Sequence, residues 1–374
     1  MRASLTALTA ALGIAVGLGS VGNATAMTKE VDLGRTPAVK SVPFTVYLPL
    51  RNKATLEQFL RDVQNPASGV YHHWLTPGQF KDAYGPDAAS VAQAKAALAA
   101  AGFTVTAEHT RSLEVTGSAA AVQSAFSIHL STVRATDTGH EREVATEGHI
   151  GTMPEALTSL GARVVGFEQH VNAHVHSRRV DIAGLPAARR NEGPDQGYFA
   201  DDMRAAYSFP SFQTYSKGSG LANYEQIVGL GTNIGILMSS IAQNSDLALS
   251  FNSDSGTGTA EIVQTYSANS NLPVPTFTIR EVSGGSGPFG NSAADEASLD
   301  TQMSLGTAPG ATEQLYDIPD LSDASIMAGY TAIVEDNTVD VVSSSFGGCE
   351  FLETVPNPFN GWISEGWVDR KSVV

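Results

Sequence analysis

Between Ile227 and Ser345, apolar runs of strand length alternate with segments of helical period, and this alternation constrains the fold more than any other feature. Ile227-Val-Gly-Leu-Gly leading into Ile234-Gly-Ile-Leu-Met238 predicts one strand, Thr276 to Val282 a second, Glu313 to Ile318 a third and Val339 to Ser345 a fourth. Helices are predicted from Ala293 to Leu305 and from Ser322 to Glu335. Apolar strands separated by helices imply a mostly parallel sheet covered on both faces.

The first half of the chain has a different texture. Val42 to Leu48 alternates like a half-buried strand, and Leu56, Phe59, Leu60 and Val63 recur at helical spacing after Thr55. Ser90 to Ala101 predicts an Ala-rich helix ended by Gly102, Phe103 to Val105 and Leu113 to Val115 predict strands, Ser118 caps a helix through Phe126, and Ile128 to Val133 is a further strand. With the helical insert set aside, the order resembles the split βαβ, ferredoxin-like α+β plan: a compact antiparallel sheet with helices on one face. From 171 to 197 no hydrophobic period survives, and Arg178, Arg179, Arg189 and Arg190 stand among Gly and Pro, which predicts an exposed, cleavable linker.

Charge follows the same division. Residues 1 to 197 hold 17 basic and 17 acidic side chains, whereas 198 to 374 hold 5 and 21, so the whole net charge of −16 sits in the second part. All nine histidines, from His72 to His176, sit in the first part. An acidic domain without a Lys/Arg stripe repels nucleic acid and anionic membrane surfaces, so neither is expected as a partner. The histidine-free half also disfavours a His-ligated zinc.

Residues 3 to 22, after Arg2, carry no charge and end in Ala24-Thr25-Ala26, which predicts a secretory signal over 1 to 26 and a secreted, extracellular protein. Cys349 is the single cysteine and has no internal disulfide partner.

The chemistry concentrates in two places. Gly229-Leu-Gly231-Thr-Asn-Ile-Gly235 superficially suggests a dinucleotide-binding loop, but its spacing is one residue too long and it leads into a strand where a helix N-terminus is needed. In Asn291 to Asp300, Ser292 and Asp295 form a capping box that starts a helix, and Glu296 and Asp300 then fall at i, i+4 on one face. Leu299 and Met303 are expected to turn toward the core. Spacing alone leaves a solvated helix face open as the plainer reading. A buried pair would hold one proton between its members over a range of acidic pH. With no histidine in this domain, acid–base work on a serine would fall to such a carboxylate.

At these residues the sequence resembles the sedolisin family of serine-carboxyl peptidases, whose fold is subtilisin-like and whose triad is Ser-Glu-Asp. Tyr71-His-His-Trp-Leu-Thr-Pro-Gly-Gln-Phe80 with Tyr84-Gly-Pro86 is similar to the prodomain signature, and Tyr198 to Pro210 to the opening of the mature enzyme. Glu296-Ala-Ser-Leu-Asp300 with Ala308-Pro-Gly-Ala311, and Val342 to Glu350, resemble the carboxylate helix and the substrate-pairing strand. The resemblance implies an activation prodomain over 27 to 170, a processing linker over 171 to 197 and the N-terminal part of a peptidase domain over 198 to 374. Glu296 would be the general base, Asp300 its orienting partner, and Ser345, Phe346 and Gly347 would offer backbone groups to an extended polypeptide substrate. The prodomain would act as an intramolecular inhibitor, with His72 or His73 beside Trp74 as a buried pH switch.

Departures from the family pattern count as well. The G-T-S-x-x-x-P motif of the nucleophile and the S-G-D motif of the oxyanion aspartate do not occur in these residues, so this reading expects the chain to stop short of them and to be inactive by itself. In related sequences the cysteine at the Cys349 position bonds one near S-G-D, and the calcium implied by the family would be bound by ligands outside this chain. An inhibitor or binding protein with a residual peptidase domain stays open as the rival reading.

Overall fold

The computed structural model describes residues 30–136, 138–147, 150–169, 171, 173–175, 206–209, 228–241, 276–287 and 294–347. The expected signal, most of the linker, most of the segment resembling the mature N-terminus, the Ser292 cap and Cys349 lie outside these residues.

Strand β1 (Glu30–Arg35) and strand β2 (Ser41–Tyr47) open the chain, followed by helices α1 (Lys53–Val63), α2 (Pro77–Tyr84) and α3 (Ala88–Ala100). Strands β3 (Thr104–Glu108) and β4 (Ser112–Ser118), helix α4 (Ala119–Phe126), strands β5 (Leu130–Ala135) and β6 (Glu141–Ala145), helix α5 (Glu155–Ser159) and strand β7 (Arg163–Val165) complete the first domain. Side chains set several boundaries. Thr76 and Gln79 form a reciprocal capping box at α2, Asp87 accepts the Ser90 N–H at α3, and Ser118 accepts the Ala121 N–H at α4.

The principal sheet has the order β3-β4-β2-β7, antiparallel throughout, and α3, α4 and α5 supply the apolar side chains packed against one face. Alternation along β2 sends Val42, Phe44 and Val46 into this core. There Phe44 meets Phe103 edge to face at 5.0 Å and touches Phe126 and Phe167, each at 5.5 Å. The compact antiparallel sheet matches the expectation, but its fourth strand does not. The strand expected over Ile128 to Val133 was to close this sheet; instead β5 joins β1 and β6 in a separate three-stranded sheet, and β7 pairs with β2. Two short apolar strands compete for one sheet edge, and the partner is chosen by packing that lies far apart in sequence.

In the second domain β9 (Asn233–Met238), β10 (Thr276–Glu281), helix α6 (Ala294–Thr307), β11 (Thr312–Asp317), helix α7 (Asp323–Asp336) and β12 (Val341–Ser343) appear where the hydrophobic pattern placed them. The four strands form a parallel sheet in the order β10-β11-β9-β12. One face, with Ile234, Ile236, Met238 and Leu315, packs under α6 through Ala297 and Leu305. The other, with Leu237, Tyr316 and Ile318, packs under α7 through Ile326, Tyr330 and Ile333. The glycines of 229 to 235 precede and enter β9 rather than a helix, which removes the phosphate-binding option. Gly229 has φ +75° and lies so close to Ala308 that a Cβ would sit 2.8 Å from the alanine methyl.

The two domains meet through the uncovered face of the β2–β7 sheet. Tyr47 and Val165 pack on Met327 of α7, and Pro77 and Phe80 of the Tyr71–Phe80 segment share a small cleft with Tyr330 and Val334. Beside them is a polar cavity of about 240 Å³ lined by Thr45, His109, Glu114, Arg280 and Glu335. His72 and His73 are both exposed, so neither is the buried switch that their position beside Trp74 suggested. His72 stacks on Tyr71 at 3.8 Å in an open turn.

Candidate active site

Helix α6 brings the two carboxylates to the boundary between core and cleft. Ala297, Thr301 and Leu305, four residues apart, have no exposed surface and form its inner stripe. Glu296 borders that stripe at 6% exposure, and Asp300 is half-buried one turn further on. Leu299, expected inside, is 45% exposed, and Met303 is only half-buried. The inner stripe decides this: Leu299 stands two residues, about 200° of helix, from the buried Ala297 and so on the opposite side of α6.

Asp300 Oδ1 accepts a hydrogen bond from Ser345 Oγ at 2.7 Å, while Oδ2 is buried with no hydrogen-bond partner among the described residues. Burial is the main force on Asp300, pushing its pKa up to about 6; the Ser345 hydrogen bond opposes this, and the charge of Glu296 adds to it. The charge of Glu296 thus acts on Asp300, as the i, i+4 spacing predicted.

Ser345 stands between β12 and a short strand β13 (Phe346–Gly347). Tyr330 Oη donates to Ser344 Oγ at 2.9 Å, which ties this turn to α7. Strand β13 pairs antiparallel with β8 (His174–Val175), Phe346 opposite Val175 and Gly347 opposite His174. Val171, Ala173 and Val175 pack on the second domain's core, so the beginning of the expected linker is a docked strand rather than an exposed segment. The structure therefore gathers Asp300, Ser345, Phe346 and Gly347 into one place, with Glu296 one helical turn from Asp300.

Two acids missed by sequence reasoning lie on the same sheet face. Glu313 has no exposed surface and contacts Ser304; burial chiefly pushes its pKa up to about 7. Asp317, also buried, accepts the Ser286 N–H at 2.9 Å at the carboxyl end of β11, under the turn Ser283–Gly287. The available signal was periodicity: both carboxylates stand at the period-2 positions that flank the buried Leu315.

Among the described residues no three His, Cys, Asp or Glu side chains converge on a metal-sized site.

The first domain's antiparallel sheet thus docks on the parallel α/β domain, and the chain that follows it pairs with a strand beside the Glu296–Asp300 pair. Residues 28–169 match the family "Pro-kumamolisin, activation domain". Over 320 residues the chain is 28% identical to xanthomonalisin of Xanthomonas sp. (strain T-22), a match covering 81% of this chain and 34% of the relative. The chain is thus similar to this peptidase over most of its own length, and it spans about a third of the length of the curated relative it matches.

Proposed function

We propose that the protein is the precursor of a secreted serine-carboxyl endopeptidase that cleaves polypeptides in acid. Glu296 takes the proton of a serine hydroxyl as general base, and Asp300 orients Glu296 and shares its proton. Residues Ser345, Phe346 and Gly347 present backbone groups to an extended substrate. The observation that carries this reading is the hydrogen bond from Ser345 to Asp300 beside the β8–β13 pairing: the carboxylate pair is tied to an edge already holding an extended segment in antiparallel register. Such pairing uses main-chain groups and accepts many sequences, as a protease of unfolded substrates requires.

His174 and Val175 stand where a substrate strand would lie, which supports intramolecular inhibition by the prodomain, with processing within 171 to 197. The uncharged segment from residue 3 to 22 and the Ala24-Thr25-Ala26 pattern after it support secretion. Among the described residues no helix is long and apolar enough to cross a membrane.

The test is Glu296→Gln in the whole precursor. An amide cannot accept the serine proton, so acid-induced self-processing and turnover should fall by roughly 10⁴-fold. Processing at near-normal rate in that variant would assign the base elsewhere.

A further inference from the structure

The chain leaves the first domain after β7 through a closely held bend. Gly166 has φ +124°, and a Cβ there would lie 3.2 Å from Phe44 Cα. The buried Glu168 side chain accepts the Gly166 N–H at 2.9 Å, and the Phe167 carbonyl accepts the Ala145 N–H of β6 at 2.9 Å. Residues 166–168 therefore pass from the edge of one sheet, β7, to the edge of the other, β6.

Arg142 of β6 stands opposite Val133 of β5, and its guanidinium crosses that strand to Glu30 of β1, with Nε–Oε1 2.9 Å and Nη2–Oε2 3.0 Å. The fork leaves Nη1 to donate to the Glu168 carbonyl, and Nη2 also lies 3.4 Å from the Gln169 carbonyl. A guanidinium can hold a carboxylate with two parallel bonds and still donate from a third N–H in the same plane, which a point-charge ammonium does not match. Two successive carbonyls of the departing chain are thus tied to an ion pair that spans the three-stranded sheet.

Five positions beyond Gln169 the chain reaches His174, opposite Gly347 of β13. Val171, Ala173 and Val175 pack on the second domain's core. Their spacing of two sets which side faces that core, because a slip of one residue would turn all three away. It does not set the position along the edge, since a slip of two restores the same facing. Two residues of extended chain cover about 7 Å, and the fixed start at 168–169 stands against a displacement of that size.

We infer that Arg142 is a positioning residue for the β13 edge: by holding the Glu168 and Gln169 carbonyls on β6, it fixes which residues of the departing chain pair with Phe346 and Gly347. The meaning of that edge as a substrate site rests on the function proposed above; the anchoring itself does not.

The experiment places cysteine pairs in the whole chain carrying Cys349→Ser. Val175→Cys with Phe346→Cys reports the register of the structure, and Ala173→Cys with Phe346→Cys reports a slip of two, each by disulfide formation between directly opposed strand positions. With Arg142 intact the first pair should cross-link roughly 10-fold more than the second, and in Arg142→Gln the ratio should fall toward one, as expected for the loss of charge-assisted hydrogen bonds. An arginine that only stabilised its own sheet would, on removal, lower the unfolding midpoint and leave the ratio alone. An unchanged ratio in a folded variant would overturn the proposal. If Arg142→Gln does not fold, Arg142→Lys decides: it keeps the charge but not the fork, so the ratio should fall there too, and a ratio equal to that of wild type sinks the anchor. In the active precursor, Arg142→Gln should scatter the ends of the released prodomain, read by mass, and the same single end as in wild type would count against the anchor. Failure of the catalytic reading would show instead as processing that survives Glu296→Gln, an outcome that leaves the cross-link ratio untouched.

Discussion

His109 Nδ1, in the turn between β3 and β4, lies 2.7 Å from Glu335 Oε2 on α7. Its Nε2 is 3.1 Å from Glu114, and Glu335 Oε1 accepts the Thr110 N–H at 2.8 Å. The Glu114 hydrogen bond first, and that of Glu335 next, raise the His109 pKa to about 9 against the opposing effect of burial. The imidazole is therefore a cation, with both nitrogens donating, throughout the neutral and acidic range.

The groups that change on acidification are then the two glutamates. His109 holds Glu114 below its usual value; Glu335 is pushed up by burial, yet the hydrogen bonds of His109 and Thr110 outweigh this and leave it lowered. A lowered carboxylate stabilises above its unfolded value of 4.5, and that stability is lost as pH falls through the folded value. Arg280, Glu281 and Asp336 line the same cavity, with Arg280 paired to Asp336. Glu335→Gln should weaken domain docking by about 1 kcal/mol at pH 7, discounted for partial exposure, and by much less at pH 3. Hydrogen exchange of β4 and α7 across this range measures it; an equal effect at both pH values would mean that ionisation of Glu335 does not support docking.

Phe44→Ala tests the first domain's core. Phe44 touches three other rings and is 4% exposed, so truncation should cost about 3–5 kcal/mol. Denaturant unfolding followed by near-ultraviolet dichroism reads this loss, and a loss below 1 kcal/mol would mean the cluster repacks.

Much of this architecture was legible because it is written in local periods. The alternation in β2, the Ser118 cap and the apolar rows of β9 and α7 each depend on neighbours within a few residues. What was not legible depends on distant partners. The choice of β7 over β5 for the sheet edge, the outward turn of Leu299 and the pairing of His109 with a glutamate 226 positions away are decided by tertiary packing. The candidate site divides in the same way. Glu296 and Asp300 were visible as a spaced pair, whereas Glu313 seemed one more strand residue until α6 was packed over it.

Gly329 separates two opposing effects on α7. Alanine in a helix interior is worth about 1 kcal/mol over glycine. Here its Cβ would lie 2.4 Å from Leu237 Cδ1 and 2.8 Å from Ile318 Cγ2, and both side chains are fully buried. Overpacking costs about 1–3 kcal/mol, so Gly329→Ala should destabilise the second domain despite the helix gain. A rise in the thermal midpoint would mean that Leu237 moves aside freely.

Asp300 offers two substitutions with opposite signs. Its pKa near 6 reflects burial foremost, a Ser345 hydrogen bond that lowers it and the Glu296 charge that raises it. Ser345→Ala removes a donor that favours the carboxylate, so the Asp300 titration should move above 6. Glu296→Gln removes a like charge and should move it below. The shifts are read by carbon-13 resonances of aspartate-labelled whole chain, independent of any turnover. If the pair shares a proton, the Gln variant should also replace a broad, two-step titration by a single step. Shifts of the same sign in both variants would mean that the two groups do not act on Asp300 through the contacts described, and the oriented pair would lose its physical basis.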